Sequence, residues 1–151
     1  MSTTRSPRLP VVWCANNDGT IMSAPRAGGT PSTVAAYFRC DEVAINGDGV
    51  YFVGGGDDNV TSRAGAHPDA PTTMGPAGLL ATDAHALYIA TGATGGPTDE
   101  IVRVNTAVGA DLTPTPIVLG QPYITSLAVD AAGVYWTTFD GASGAVLMLA
   151  R

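Results

Sequence analysis

The stretch at 126–151, SLAVDAAGVYWTTFDGASGAVLMLAR, carries the clearest pattern of strands and turns in the chain. Its first part alternates apolar and small residues as far as Asp130, and the Asp-Ala-Ala-Gly sequence that starts there is typical of a tight turn. A second apolar run begins at Val134 and ends in a Gly-rich loop, and a third apolar run leads to Arg151. This pattern predicts three antiparallel strands joined by short connections.

The same arrangement recurs along the chain. The segments VVWCA, VYFVG and LYIAT begin at Val11, Val50 and Leu87, as VYWTT begins at Val134. They recur about every 40 residues, which is the length of a four-stranded propeller blade. A further strand is predicted after three of the repeats, at TPSTVAAY, APTTMG and TPIVLG. The strands of each blade are called a to d, in chain order and from the inside outward.

The repeats predict an all-β protein, a β-propeller of four-stranded antiparallel blades with about four repeats, which we expect to be part of a larger propeller. We expect a disordered tail at residues 1–10. The four repeats are expected at 11–37, 38–76, 77–121 and 122–151. Because the first repeat lacks strand a and the last ends after strand c, the chain is either a small closed ring or an incomplete gene fragment of a larger propeller. Open blade edges would favour self-association.

Composition excludes several classes of protein. The chain has 151 residues and a net charge of −6, and its 7 basic residues are all Arg. Too few cations are present for a phosphate-binding patch, so we expect no nucleic-acid partner. No apolar run approaches the length of a transmembrane helix, and residues 1–10 lack the apolar core of a signal peptide.

The stretch at 126–151 resembles the YWTD and NHL-like propeller repeats, and Gly19–Pro31, GTIMSAPRAGGTP, is similar to the end of repeats found in a bacterial group. The resemblance implies a six-bladed, TolB-like propeller that faces the cell envelope or is secreted. It is strong in the first and last repeats and weaker in the middle two. The sequence departs from it at Thr138, where YWTD repeats carry an Asp that links adjacent blades. A shared fold does not imply shared chemistry.

The two cysteines, Cys14 and Cys40, are predicted to lie near each other at one face. Cys14 is in strand b of the first repeat and Cys40 begins strand a of the second. They form a disulfide if the protein is exported, or remain reduced in a cytoplasm. No His accompanies them in a zinc-binding spacing.

Propeller topology places the loops after strand b and the connections between blades on one face, called here the loop face. That face is where several blades can contact one ligand. The candidate ligand-binding residues are its aromatic, basic and acidic side chains: Tyr37, Arg39, Asp41, Asp57, Asp58, Asp99 and Tyr123. We predict no catalytic residue and no cofactor, with Ca²⁺ held by the rim carboxylates as the alternative.

The two histidines are predicted to lie on the opposite face. His85 is in an a–b turn and His67 in a c–d loop, so we interpret both as solvated loop residues. Asn46, Asp83 and Asp130 occupy equivalent turn positions, which predicts that each side chain bonds its own backbone. The leading hypothesis is therefore a non-enzymatic propeller module that binds a protein or glycan. The alternatives are a metal-assisted lactonase-like or lyase-like propeller enzyme and an incomplete fragment.

Overall fold

The computed structural model describes residues 9–15, 19–36, 40–54, 59–65, 78–91 and 99–151. These residues form thirteen β-strands and no helix. The strands are β1 (Val11–Ala15), β2 (Thr20–Ala24), β3 (Ser32–Ala36), β4 (Glu42–Ile45), β5 (Gly49–Gly54), β6 (Asn59–Gly65), β7 (Leu79–Thr82), β8 (Ala86–Thr91), β9 (Asp99–Asn105), β10 (Thr115–Gln121), β11 (Ile124–Val129), β12 (Gly133–Phe139) and β13 (Gly144–Ala150). Within these ranges, no helix is long and apolar enough to cross a membrane.

The strands form four antiparallel sheets that follow one another along the chain. Blade 1 has the order β1-β2-β3, blade 2 β4-β5-β6, blade 3 β10-β9-β8-β7 and blade 4 β11-β12-β13. The sheets confirm the predicted all-β fold of antiparallel blades. Blade 3 has all four strands, and blade 4 has strands a to c, as its sequence predicted. The predicted tail residues 1–8 and the predicted strand at APTTMG lie outside the described residues.

Each blade packs against the next through alternate residues of its strand b, because successive side chains of a strand point to opposite faces. We call the face turned toward the preceding blade the front face and the face turned toward the following blade the back face. In β5, Val50 and Phe52 are buried with blade 1, whereas Tyr51 and Val53 are buried with blade 3. Inner strands of neighbouring blades contact each other, β1 with β4, β4 with β7 and β7 with β11.

Blade 3 is covered on both faces, which explains its almost continuously apolar strand b, ALYIAT. Leu87 and Ile89 pack with blade 2, and Ala86, Tyr88 and Ala90 pack with blade 4. In the ranges that the structure describes, the hydrophobic core is therefore a series of three clusters between successive sheets. A residue's place in its strand determines which cluster it joins.

A disulfide joins blades 1 and 2. Cys14 lies in β1 and Cys40 precedes β4, and their Cα atoms are 5.5 Å apart. Cys40 is buried in the cluster between the two blades, beside Phe52 and Ile21. The bridge therefore joins the two blades beside their shared apolar core.

Candidate functional site

The loop face is best described where blade 3 connects to blade 4. The chain leaves β10, turns at Pro122 and Tyr123 and enters β11. Gly120 has a φ of 65° in an irregular part of β10, a conformation that favours glycine. The irregularity brings Tyr123 against the end of strand b of blade 4, where its carbonyl accepts a hydrogen bond from the Phe139 N–H at 2.9 Å.

Three large apolar side chains are exposed around this connection. Tyr123 is 40% exposed, Phe139 47% and Leu119 66%. The backbone hydrogen bond places Tyr123 and Phe139 side by side, and Leu119 lies at the end of β10 just before them. Aromatic groups that remain exposed on a folded surface are enriched in binding interfaces. We call Leu119, Tyr123 and Phe139 the aromatic rim.

Asp140 closes the loop that follows the rim. Its Oδ1 accepts hydrogen bonds from the N–H groups of Ser143 at 2.7 Å and Ala142 at 2.9 Å, and its Oδ2 accepts one from the Ser143 hydroxyl. The backbone N–H of Ser143, followed by that of Ala142 and the Ser143 hydroxyl, lowers the pKa of Asp140. Gly141 has a φ of 94°, so the turn favours glycine there. The carboxylate therefore fixes the loop that begins beside Phe139.

Asp99 does not lie on an exposed rim as the sequence predicted. It is 1% exposed, and its Oδ2 accepts a hydrogen bond from the Ile124 N–H at 2.8 Å. The carboxylate thus joins strand c of blade 3 to the start of blade 4, because the interblade connection passes directly over it. Its Oδ1 is buried and has no hydrogen-bond partner among the described residues. Asp99 is an anchor beneath the aromatic rim.

Of the other predicted ligand-binding residues, the structure describes Tyr123 and Asp41. Tyr123 is exposed on the loop face, as expected. Asp41 is exposed just before β4, and its N–H donates to the Val53 carbonyl at 2.9 Å. Tyr37, Arg39, Asp57 and Asp58 lie outside the described residues. The structure therefore brings Asp99 and Tyr123 to one connection and places Asp41 at another.

Two members of the aromatic rim were missed from the sequence. The sequence placed Leu119 in the predicted strand TPIVLG and Phe139 at the start of the loop after strand b, and neither was named as a candidate binding residue. Leu119 lies in the irregular part of β10 and Phe139 is the last residue of β12, and both side chains are exposed. One feature of the sequence indicates that Phe139 lies at the loop face, because it directly precedes the Asp-Gly pair at the start of the b–c loop.

The opposite face carries polar links between blades. Asn46, Asp83 and Asp130 each accept backbone N–H groups of their own a–b turn through Oδ1, as predicted. His85 is largely exposed, and its Nδ1 lies 3.0 Å from Oδ2 of Asp48 in the preceding blade. The Thr106 hydroxyl donates to the same carboxylate oxygen at 3.0 Å. His85 therefore belongs to an interblade contact, and His67 lies outside the described residues.

Comparisons with known proteins support the fold and give no family. No protein-family model matches the chain, and no curated protein matches it. Among solved structures, a chain of the crystal structure of the nidogen/laminin complex matches with a TM-score of 0.52 and 14% sequence identity. The match covers 93% of this chain and 72% of that chain. At this identity the match shows the fold alone, and that fold is the β-propeller.

Proposed function

We propose that this chain is a non-enzymatic β-propeller interaction module whose loop face binds a protein or a glycan. The observation that carries the proposal is the aromatic rim, where Tyr123 and Phe139 are exposed on adjacent backbone segments and Leu119 is exposed shortly before them in β10. The carboxylates of Asp99 and Asp140 bond to the backbone beside it. Aromatic faces stack on other apolar surfaces, on sugar rings as on protein side chains, and a Tyr hydroxyl adds a hydrogen-bonding group. The likeness to a chain from a protein–protein complex supports this class of function.

The finer assignment is part of the same proposal. The chain would belong to a six-bladed, bacterial propeller of the TolB-like or NHL-like kind and act without a cofactor. The Cys14–Cys40 bridge supports an envelope or extracellular setting, because disulfides persist in oxidising compartments. Arg39, Asp57 and Asp58 would extend the binding surface around the loop face.

The test uses the whole chain on a glycan microarray and against a phage-displayed peptide library. We expect the double variant Tyr123→Ala/Phe139→Ala to lose most binding to whichever probe is retained, because exposed aromatic anchors carry much of an interface's energy. Val108→Ala is the matched control, since Val108 is 79% exposed and follows strand c at the other face. Retained binding in the double variant, or lost binding in the control, would contradict the proposal.

The metal-assisted enzyme is tested separately. Calorimetric titration with Ca²⁺, followed by a lactone-hydrolysis assay with and without the ion, should give no heat of site binding and no turnover. Saturable Ca²⁺ binding accompanied by hydrolysis would replace the binding-module proposal with the enzyme.

Substituting Arg39→Ala or Asp58→Ala should weaken ligand binding with little change in thermal stability.

A further inference from the structure

Blade 4 has a back face that nothing in the described chain covers. Equivalent residues of strand b differ in burial between blades 3 and 4. Tyr88 of blade 3 is 1% exposed, whereas Tyr135 of blade 4 is only partly buried. The contrast is larger on strand c. Ile101, paired with Ala90, is fully buried, whereas Val146, paired with Thr137 at the equivalent position, is 80% exposed. Met148 beside Tyr135 is 54% exposed.

The same junction also lacks a polar link that the two preceding junctions have. Asn46 donates through Nδ2 to the Thr106 hydroxyl at 3.0 Å, and Arg151 donates to the Asp83 carboxylate. Thr106 of blade 3 and Arg151 of blade 4 occupy equivalent positions. Each directly follows strand c of its blade and donates its N–H to a carbonyl in the a–b turn of the same blade. Asp130 is the third residue of the series, and no following blade among the described residues supplies its partner.

Blade 1 offers the complementary surface. Val12 and Cys14 pack toward blade 2, so the alternation of β1 turns Val11 and Trp13 to the front face. Trp13 occupies the position of Trp136, which is 6% exposed where the front face of blade 4 meets blade 3. Val11 is 49% exposed. Within the part of the chain that the structure describes, no sheet packs on the front face of blade 1. This face carries a Val and a Trp at the positions that pack on the preceding blade in blade 4.

We propose that a second copy of this chain seats the front face of its blade 1 on the back face of blade 4. The contact continues the blade-to-blade packing already present at three junctions, so it places Trp13 of one copy beside Tyr135 and Met148 of the other. Arg26 is exposed, and the strand register places it at the position equivalent to Thr106 and Arg151. Its charge complements that of Asp130, for which the described residues supply no interblade partner. The interface joins two different surfaces and is therefore heterologous, which gives a ring when the rotation closes.

The first test compares the association of matched variants by sedimentation velocity. The wild-type chain should associate at micromolar concentration. Val146→Lys should weaken the association roughly 30-fold or more, because it places an unpaired charge in an apolar interface. Val108→Lys is the control, a valine of equal exposure outside the interface. Both variants should keep the wild-type circular dichroism and melting temperature. A monomeric wild-type chain, or undiminished association of Val146→Lys, would overturn the proposal.

A mixing experiment tests the head-to-tail geometry. Val11→Lys spoils only the front face and Val146→Lys only the back face, so each variant alone should be monomeric. Their mixture keeps one intact front face and one intact back face and should form a one-to-one dimer. Association of Val11→Lys by itself would mean that back faces pair with each other, and a mixture that stays monomeric would mean that something other than a second copy covers this surface. Either result would overturn the proposal.

Discussion

At the scale of single residues, one Asx side chain closes the a–b turn in each of blades 2 to 4, and in blades 2 and 3 the same side chain also bonds to the following blade. Oδ1 accepts the N–H groups of the turn in all three. The second side-chain atom of Asn46 and Asp83 reaches the following blade, to Thr106 and Arg151. A Tyr five residues later donates to the same side chain in blades 2 and 3. The hydrogen bonds within the turn thereby orient the side-chain atom of Asn46 or Asp83 that bonds to the following blade.

Asn46→Ala should therefore cost more than an ordinary turn substitution. The variant leaves the buried N–H of Asp48 and the Thr106 hydroxyl with fewer partners, and we expect a loss of about 2–3 kcal/mol in the free energy of unfolding. Urea denaturation measures it. Asp111→Ala is the control, because Asp111 closes only its own exposed turn with Thr113 and should cost less than about 1 kcal/mol. Equal losses in the two variants would contradict an interblade role for Asn46.

Asp83 should make stability depend on pH. Partial burial tends to raise its pKa, but hydrogen bonds from the His85 N–H and the Tyr88 hydroxyl, together with Arg151, lower it below the ordinary value of 3.8. A lowered pKa in the folded state gives a contribution that is complete above the unfolded-state pKa and disappears as the pH falls through the folded-state pKa. Asp83→Asn, which keeps the turn as Asn46 does, should be less stable than wild type at pH 7.

The measurement is urea unfolding of both proteins from pH 7 down to pH 2. The difference in unfolding free energy between wild type and Asp83→Asn should shrink as the pH falls below about 4. A difference that stays constant over this range would mean that the charge of Asp83 contributes nothing to folding. Other carboxyl groups titrate in both proteins, so their effects cancel in the comparison.

At the scale of elements, the environment of a strand depends on whether a blade lies beyond it. β9 and β13 are the equivalent c strands of blades 3 and 4, and both are rich in aliphatic residues. Most of β9 is buried, whereas β13 is exposed over nearly its whole length. The aliphatic residues of β13 are therefore typical of a strand, such as β9, that is covered by another sheet.

Equivalent positions on these strands should respond differently to the same truncation. Ile101→Ala removes fully buried atoms between blades 3 and 4 and should cost about 2–5 kcal/mol. Val146→Ala removes atoms that are 80% exposed in the isolated chain and should change stability by no more than about 0.5 kcal/mol. Chemical denaturation at high dilution measures both. A large loss for Val146→Ala under these conditions would show that its face is covered within a single chain.

The elements also show what the sequence could predict. Period-2 alternation and the Asx-Gly turns predicted the strands and the blades, because both signals are local. The position of Asp99 could not be predicted, since its burial depends on the Ile124 backbone reaching it from the next blade. The partners of Asn46 and Asp83 were equally hidden, because the equivalent positions are occupied by unlike residues, Thr106 and Arg151. The exposure of Phe139 depends on a neighbouring sheet rather than on its own strand.

At the scale of the whole molecule, the blades form a linear series in which each is stabilised by its immediate neighbours. Among the described residues, blade 1 contributes to one apolar cluster, the one shared with blade 2, and the Cys14–Cys40 bridge lies there. Blade 3 contributes to two clusters. In such a series, the free energy of unfolding is approximately a sum of the stabilities of the blades and of the junctions between them. Removing one interaction can therefore destabilise one blade more than the others. Blade 1 should be the unit most dependent on the disulfide.

Removing the bridge should therefore destabilise the molecule from the blade 1 end. The cysteines are separated by 26 residues, and closing a loop of that length contributes about 3 kcal/mol in the chain-entropy model. In Cys14→Ser/Cys40→Ser, hydrogen exchange should accelerate in β1, β2 and β3, while β8 and β9 keep most of their protection because two junctions hold them. Reductant should have the same effect on wild type and none on the variant. Unchanged exchange in blade 1, or two titratable thiols in the untreated native protein, would contradict a structural role for the bridge.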